Sequence, residues 1–150
     1  MSDTASGSNG VTAMHERVHS SFVRQGMMQH LGAQLLRVAS GEVEFLLPMG
    51  DKVTQQQGAF HGGALGALAD ISCGYAALTV APEGMEVTTV EYKINFVSAA
   101  TGSEVVCVGK VVKAGRTLII TSAELFDVKN GVRKLCGLMQ ATLIAVAKKY

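Results

Sequence analysis

The sequence predicts an α+β fold in which an antiparallel sheet curls around one long, apolar helix. The helix is indicated by a proline-free stretch rich in alanine and leucine, from His61 to about Val80, which ends before Pro82 and Gly84. Strands are indicated on both sides of it by β-branched or alternating runs separated by glycine-containing turns. Because a single apolar helix must bury its surface, we expect it to lie against one face of the sheet.

The composition is that of a folded protein without a nucleic-acid partner. The chain has 150 residues, the usual size of one domain, which is long enough to bury a core. Its 48% hydrophobic and 17% charged residues exclude a disordered chain. A net charge of +1 with no Lys/Arg-rich run does not suit phosphate binding. We predict a single domain over residues 12–150, preceded by a disordered Ser/Gly/Asn-rich tail over residues 1–11.

The cysteines and the N-terminus bear on the compartment. Cys73, Cys107 and Cys136 are widely spaced and form no CxxC pair or Cys/His cluster of the kind that binds zinc. We expect reduced, buried thiols and no metal or organic cofactor. The N-terminus lacks the features of a signal peptide, and no run approaches the roughly 20 apolar residues of a membrane span. The sequence therefore predicts a soluble, cytoplasmic protein with no membrane partner.

The other elements follow from periodicity and turns. A weakly helical stretch from Thr12 to about His30 precedes two strands that meet at a Ser-Gly turn, and four strands after the long helix are expected to form an antiparallel meander. The six predicted strands are Leu31–Val38, Glu42–Leu47, Val87–Val97, Glu104–Lys113, Thr117–Val128 and Val132–Val146. The last three turns are Thr101-Gly102, Ala114-Gly115 and Asn130-Gly131. Asn-Gly is a strong hairpin signal, because type I′ turns need positive φ at both central residues.

The first strand after the helix has a regular alternation of apolar and polar residues, which predicts two distinct faces. The apolar face carries Val90, Tyr92, Ile94 and Phe96. The polar face carries Thr89, Glu91, Lys93 and Asn95.

The long helix contains one acidic residue, Asp70, on a face of small side chains. On a helical wheel, its companions on that face are Gly63, Gly66, Ala67, Cys73, Gly74 and Ala77. The bulkier side carries Leu65, Leu68, Ser72, Tyr75 and Ala76. Glycine inside a helix costs about 1 kcal/mol relative to alanine, so the small face indicates a close approach by a strand or a ligand. The alternative is that Asp70 is a surface or interface carboxylate and that the small face serves packing alone.

The segment His61-Gly62-Gly63 at the helix start can also be interpreted in two ways, as a binding site or as a structural turn. Unpaired N–H groups at a helix N-terminus can bind an anion or polarise a carbonyl, and glycine lets a ligand approach. The alternative is a glycine-rich turn with a hydrogen-bonded structural histidine. His61 and Asp70 lie nine residues apart and point in nearly opposite directions, so they form no local dyad.

The segment from Gln55 to Asp70 resembles the active-site signature of the PaaI-type hotdog-fold acyl-CoA thioesterases. The matching residues are Gly58-x-x-His61-Gly62-Gly63-x-x-x-x-Leu68-x-Asp70. Three further segments are similar to the same family, and the resemblance runs from about residue 20 to 146. They are Phe22-x-x-Gln25-Gly26-x-Met28-x-x-Leu31-Gly32, Tyr92-Lys93-Ile94-Asn95-Phe96 and Gly115-Arg116-Thr117.

This resemblance implies a hotdog fold with five or six antiparallel strands around a central helix. It implies a homodimer, often paired into a tetramer, with active sites at the subunit interface and an acyl-CoA substrate. It makes Asp70 the catalytic carboxylate, as general base or nucleophile, and the Gly62 N–H the donor that polarises the thioester carbonyl. His61 would shape the helix start, and Gly63 would allow the ligand to approach.

The resemblance also extends to residues outside the helix. Gln55 stands where relatives commonly carry Asn, whose amide holds the water or the thioester; Gln retains the amide with a longer reach. Thr89 stands where some relatives have a Ser or Thr that orients the water, although it is also an ordinary strand residue. Arg116, helped by Lys113 or Lys93, would meet the CoA phosphates.

Two other functions remain open at this point: a hydratase or dehydratase of the same fold, and a non-catalytic acyl-CoA binding module. The sequence does not identify the acyl group. Four apolar residues either line its pocket or belong to the core: Met27, Met28, Leu31 and Leu35.

Overall fold

The computed structural model describes the backbone of residues 5–150. Its helices are α1 (Ala5–Phe22), α2 (Gly26–Leu31) and α3 (Gly62–Val80). Its strands are β1 (Gln34–Ala39), β2 (Glu42–Pro48), β3 (Met85–Phe96), β4 (Glu104–Ala114), β5 (Leu118–Lys129) and β6 (Val132–Ala147). All six strands form one antiparallel sheet in the order β1-β2-β4-β5-β6-β3, and α3 packs against five of them. The predicted hotdog architecture, a sheet wrapped around a long central helix, is therefore confirmed with six strands.

The predicted four-strand meander is wrong for its first strand. β4, β5 and β6 are consecutive neighbours, but β3 pairs with β6 at the far edge of the sheet. β4 has no free edge for β3, because β2 occupies its other side. Thr101-Gly102 is consequently part of a crossing connection, in which the Gly102 N–H donates to Asp127 Oδ1 at 2.8 Å. The other two expected hairpins are present. One is at Ala114-Gly115 between β4 and β5, and the other is at Asn130 and Gly131, whose φ angles are 53° and 76°.

The N-terminal region contains two helices in place of the one predicted from Thr12 to His30. α1 already begins at Ala5, so residues 5–11, expected to be a tail, are helical in the structure; residues 1–4 lie outside the described residues. The chain leaves the helix before Gln25, whose backbone is extended. α2 ends at Gly32 with φ 80°, so β1 begins at Gln34 and not at Leu31.

α1 is fixed to the end of α3 by one side chain, Arg17. Its guanidinium donates to the carbonyl oxygens of Ala81 at 3.0 Å, Pro82 at 2.9 Å and Met85 at 2.6 Å. The end of a helix leaves its last carbonyls without helical partners, and the Pro82 carbonyl also accepts from the Met85 N–H at 3.2 Å. The contact holds the second half of α1 beside the residues that follow α3.

α3 is buried on nearly all sides. Cys73 and Ala77, which the helical wheel placed on the face of Asp70, are both fully buried. The helix approaches β4 so closely that a Cβ on Gly109 would lie 2.2 Å from the Ser72 carbonyl oxygen. By length and composition α3 could cross a membrane, which is contrary to the expectation that no apolar run is long enough. However, 67% of its most apolar stretch is buried inside the protein.

Candidate active site

Asp70 and Thr89 are brought together by the packing of α3 against β3. Thr89 Oγ1 donates a hydrogen bond to Asp70 Oδ1 at 2.8 Å, and both residues are half-buried. Asp70 Oδ2 has no hydrogen-bond partner among the described residues. One carboxylate oxygen is therefore held in place, while the other is free to meet a proton donor or an electrophile.

A β-bulge explains why Thr89 faces the helix, against the alternation predicted for β3. The register with β6 shifts between Thr89 and Glu91, so Val90 has no partner. Thr89 opposes fully buried Leu143, on the helix side, whereas Glu91 opposes Thr142 and accepts its hydroxyl hydrogen bond on the other side. The extra residue reverses the parity of the strand at that point. Thr89 therefore shares the helix-facing side with Tyr92, Ile94 and Phe96.

A cavity of about 160 Å³ lies beside Asp70. Its polar lining residues are Ser21, Gln25, Asp70, Tyr75, Glu86 and Thr89. The remaining walls are Ile71, Gly74, Leu78, Val87 and Leu143, which are apolar or lack a side chain. A carboxylate in a recess whose other walls include apolar side chains and a glycine is an arrangement that suits an apolar acyl group next to a reacting carbonyl.

A chain of hydrogen bonds around Tyr75 forms another wall of the cavity. Gln25 Nε2 donates to Tyr75 Oη at 2.8 Å, and Ser21 Oγ lies 3.2 Å from the same hydroxyl. Ser21 Oγ is also 3.2 Å from Tyr150 Oη, which donates to Glu86 Oε1 at 2.6 Å. Burial raises the pKa of Tyr75, so this hydroxyl remains protonated. The turn between α1 and α2 is thus tied to the central helix.

Sequence reasoning missed Tyr75, Gln25 and Ser21 as lining residues of this cavity. Gln25 was noted only as part of the family resemblance, and the signal available was a polar residue at the break between α1 and α2. The four apolar residues considered for the pocket lie elsewhere. Met28 is in the core, Leu31 and Leu35 pack against it, and Met27 is exposed.

The first N–H groups of α3 differ in their partners. His61 is the N-cap, and its Nδ1 accepts from the Gly63 N–H at 2.8 Å, which places its own ring proton on Nε2. The Gly62 N–H has no acceptor among the described residues. The expectation of unpaired donors at both glycines therefore holds for Gly62 and not for Gly63. The Phe96 ring lies beside Gly62, 3.2 Å from where a Cβ would stand.

Gln55 lies in the loop before α3, and its recorded hydrogen bonds stay within that loop. Its Oε1 accepts from the Gln57 N–H, its backbone N–H donates to the Ala59 carbonyl at 2.9 Å, and its carbonyl accepts from the Gly58 N–H at 3.0 Å. The Gln55 Nε2 donor has no partner among the described residues. The structure brings Gln55 into no contact with Asp70 or Thr89.

The three predicted basic residues are exposed, and none forms an ion pair within the described part of the chain. Arg116 and Lys113 flank the β4–β5 hairpin, while Lys93 lies on β3. Ala114 of this hairpin pairs with Ile119, Ile119 pairs with Leu143, and Leu143 pairs with Thr89. Ala114 and Thr89 therefore lie at the two ends of one row across four strands. Three strand spacings separate the ends of the row, so the hairpin lies at most roughly 15 Å from Thr89.

The cysteines are buried and free, as predicted. Burial raises the pKa of Cys73 to about 11, so this thiol, on α3 near Asp70, stays protonated and is a poor nucleophile. Among residues 5–150, no group of three or more His, Cys, Asp or Glu side chains is placed to hold a metal ion.

The fold and this site together define a class of protein: a hotdog-fold enzyme whose candidate catalytic carboxylate, Asp70, lies on the central helix. A family model described as the thioesterase superfamily matches residues 57–134. The chain therefore belongs to the thioesterase superfamily, and it is a thioesterase.

Individual relatives agree with this assignment. A thioesterase family protein from Silicibacter pomeroyi is 36% identical in its crystal structure, with a TM-score of 0.87 over 90% of this chain and 99% of that chain. A protein of Saccharolobus solfataricus that is named as an esterase is 31% identical over 101 residues, which are 67% of this chain and 71% of that protein. The Escherichia coli PaaI protein from the phenylacetic acid degradation operon shares the fold, at 15% identity and a TM-score of 0.81 over 91% of this chain and 96% of that chain.

Proposed function

We propose that this thioesterase hydrolyses an acyl-CoA thioester to the free acid and CoA, with Asp70 as general base or nucleophile. The observation that carries the proposal is the Asp70 carboxylate, which is oriented by Thr89 and lines a cavity with polar and apolar walls. As general base, Asp70 Oδ2 takes a proton from water, and the water oxygen bonds to the thioester carbon. As nucleophile, Oδ2 itself bonds to that carbon, and water then cleaves the acyl-aspartyl anhydride to the free acid. In both routes the carbon–sulfur bond breaks, and the thiolate of CoA leaves and is protonated.

A single chain does not supply both halves of this site. Gly62 and Asp70 lie eight residues apart on α3, which corresponds to ~12 Å along the helix axis. A hydrogen bond to the carbonyl oxygen and an attack on the adjacent carbon must both occur within ~3 Å of one thioester group. We therefore assign the oxyanion donor to Gly62 of a second copy of the chain.

The edge strand β3 supports a dimer of this kind. β3 is 12 residues long, and Val90, Tyr92 and Phe96 on it are 56%, 47% and 50% exposed. A long apolar edge strand is unusual unless another chain covers it. Antiparallel pairing of two β3 strands, centred on Lys93 and with Val90 left out of the ladder as it is in the pairing with β6, would set Thr89 of one copy opposite Phe96 of the other. Since Thr89 contacts Asp70 and Phe96 lies beside Gly62, this pairing joins the two half-sites.

The second half-site holds the thioester carbonyl. The Gly62 N–H at the positive end of α3 stabilises the developing oxyanion, and His61 fixes the conformation of that helix start by accepting from Gly63. Gln55 Nε2, free within the described residues, is a second donor to the same oxygen. Two such dimers pair into the tetramer that the family resemblance implies. The three free thiols suit a cytoplasmic location.

The experiment that tests the proposed function is thiol release from a panel of acyl-CoA esters by the wild-type protein. Turnover of any of them supports hydrolysis and excludes a non-catalytic binding module. Release of free thiol without hydration of an enoyl-CoA in a parallel assay excludes a hydratase. If no ester in the panel is hydrolysed, acyl-CoA is not the substrate.

CoA recognition by the β4–β5 hairpin makes a separate prediction. Arg116→Ala is expected to raise KM for CoA esters about tenfold with little change in kcat, because a charged hydrogen bond to phosphate contributes about 1.5 kcal/mol to ground-state and transition-state binding alike. The measurement is steady-state kinetics, with Arg133→Ala as the control, because Arg133 pairs with Glu44 and lies on β6 opposite Val128, at the other end of β5 from the β4–β5 hairpin. An unchanged KM for Arg116→Ala would remove Arg116 from the CoA site.

A further inference from the structure

One position of the cavity is a glycine that packing does not explain. Gly74 lies inside α3, one turn after Asp70, where alanine would give a more stable helix. A Cβ added there would meet Leu143 Cδ2 at 3.9 Å, an ordinary contact that needs no movement. Gly62 and Gly63 differ, because their Cβ atoms would lie within 3.0–3.2 Å of the Phe96 and His61 rings.

The position of Gly74 in the cavity supplies a reason. Asp70, Gly74 and Leu78 follow one another at four-residue intervals along the same face of α3, and all three line the cavity. Asp70 carries the reacting group, while the hydrogen-bonded pair Tyr75 and Gln25 forms another wall. An acyl chain that starts at the carbon attacked by Asp70 and runs into this cavity along α3 passes Gly74.

The Tyr75 wall of the cavity is rigid. Tyr75 is 5% exposed and packs against Phe22 and Phe45, with ring centroids 6.1 and 5.7 Å away. Its hydroxyl is held by Gln25 and Ser21. The volume beside this wall, about 160 Å³, corresponds to roughly five or six non-hydrogen atoms at about 30 Å³ each.

We propose that Gly74 is a specificity-determining residue, whose missing side chain leaves room for a short, unbranched acyl chain of about four to six carbons between Asp70 and Tyr75. This inference rests on the proposed function and adds the substrate class to it. A methyl group at position 74 would narrow the middle of the cavity and leave its reacting end unchanged. The added methyl group would therefore lower activity according to the length of the acyl chain, and it would leave the hydrolytic reaction itself unchanged.

The test compares wild type with Gly74→Ala on straight-chain esters from acetyl-CoA to decanoyl-CoA. Wild type is expected to have its highest kcat/KM at butyryl-CoA or hexanoyl-CoA, with a fall of at least about tenfold at decanoyl-CoA. Gly74→Ala is expected to lose at least about tenfold on hexanoyl-CoA and less than about threefold on acetyl-CoA, because only the longer chain reaches the added methyl group.

The control is Gly10→Ala, which makes the same change in helix α1, where a Cβ would meet nothing within 4 Å. Both variants should melt at or above the wild-type Tm, and Gly10→Ala should keep the wild-type ranking of esters. The inference would be overturned if Gly74→Ala left the ratio of kcat/KM between hexanoyl-CoA and acetyl-CoA unchanged, or if wild type preferred decanoyl-CoA. Either result would leave the proposed hydrolase function standing. No turnover of any ester by wild type would overturn the proposed function as well.

Discussion

Replacing Asp70 with asparagine is expected to lower kcat by at least ~100-fold, because it removes the free carboxylate oxygen beside Thr89 that acts as base or nucleophile. Asparagine has nearly the same shape, and its side-chain oxygen can still accept the hydrogen bond from Thr89. The packing of α3 and the affinity for the substrate should therefore change little. Steady-state thiol release on the best ester measures kcat, and KM is expected to stay within about threefold.

The matched control is Asp51→Asn, the same change at an exposed loop aspartate. It should retain wild-type kcat, and thermal unfolding should show that both variants are folded. If Asp70→Asn turns over within about fivefold of wild type, Asp70 neither deprotonates water nor attacks the thioester.

Removing the Gly62 N–H is the second change that is expected to lower kcat strongly. Gly62→Pro deletes this donor at the first position of a helix, where proline is tolerated. His61, with φ −70° and ψ 133°, already has the backbone conformation that suits a residue before proline. Loss of one oxyanion donor typically costs about 3 kcal/mol, so we expect a fall of about 100-fold in kcat.

Gly62→Ala separates the donor from the added bulk. It places a Cβ near the Phe96 ring as proline does, but it keeps the N–H group. The ratio of kcat between the alanine and proline variants therefore measures the hydrogen bond alone. Equal rates for the two would show that the Gly62 N–H does not polarise the carbonyl.

The features that could be predicted from sequence are those determined by local chemistry. α3 was predicted from His61 to Val80 and spans Gly62–Val80, because a run without proline ends at its own stop signals. The Asn130-Gly131 hairpin likewise follows from two residues that adopt positive φ. Thr89 entered the predicted site through the family resemblance alone, as a residue that orients the water, and its contact with Asp70 was not predicted, since the alternation of β3 assigned Thr89 to the opposite face.

The features that could not be predicted depend on distant parts of the chain. β3 lies at the edge of the sheet because β2 pairs with the side of β4 that β3 would otherwise have used. β2 and β4 are far apart in sequence, so local patterns do not reveal this pairing. The bulge at Val90 has no residue signal of its own, since valine is a common strand residue. The closure of the cavity by Gln25 and Tyr75 depends on the break between α1 and α2, which weak helical periodicity did not reveal.

The central claim is that each active site combines Asp70 of one copy with Gly62 of another, and subunit complementation tests it most directly. Asp70→Asn and Gly62→Pro proteins, each nearly inactive, are mixed by co-expression with different tags, and the mixed dimers are assayed for thiol release. In a two-fold dimer, each mixed pair has one intact and one doubly altered site, so mixed dimers purified through both tags are expected to have about half of the wild-type kcat per dimer. A mixture no more active than its two parents would show that the two residues do not share a site across the interface.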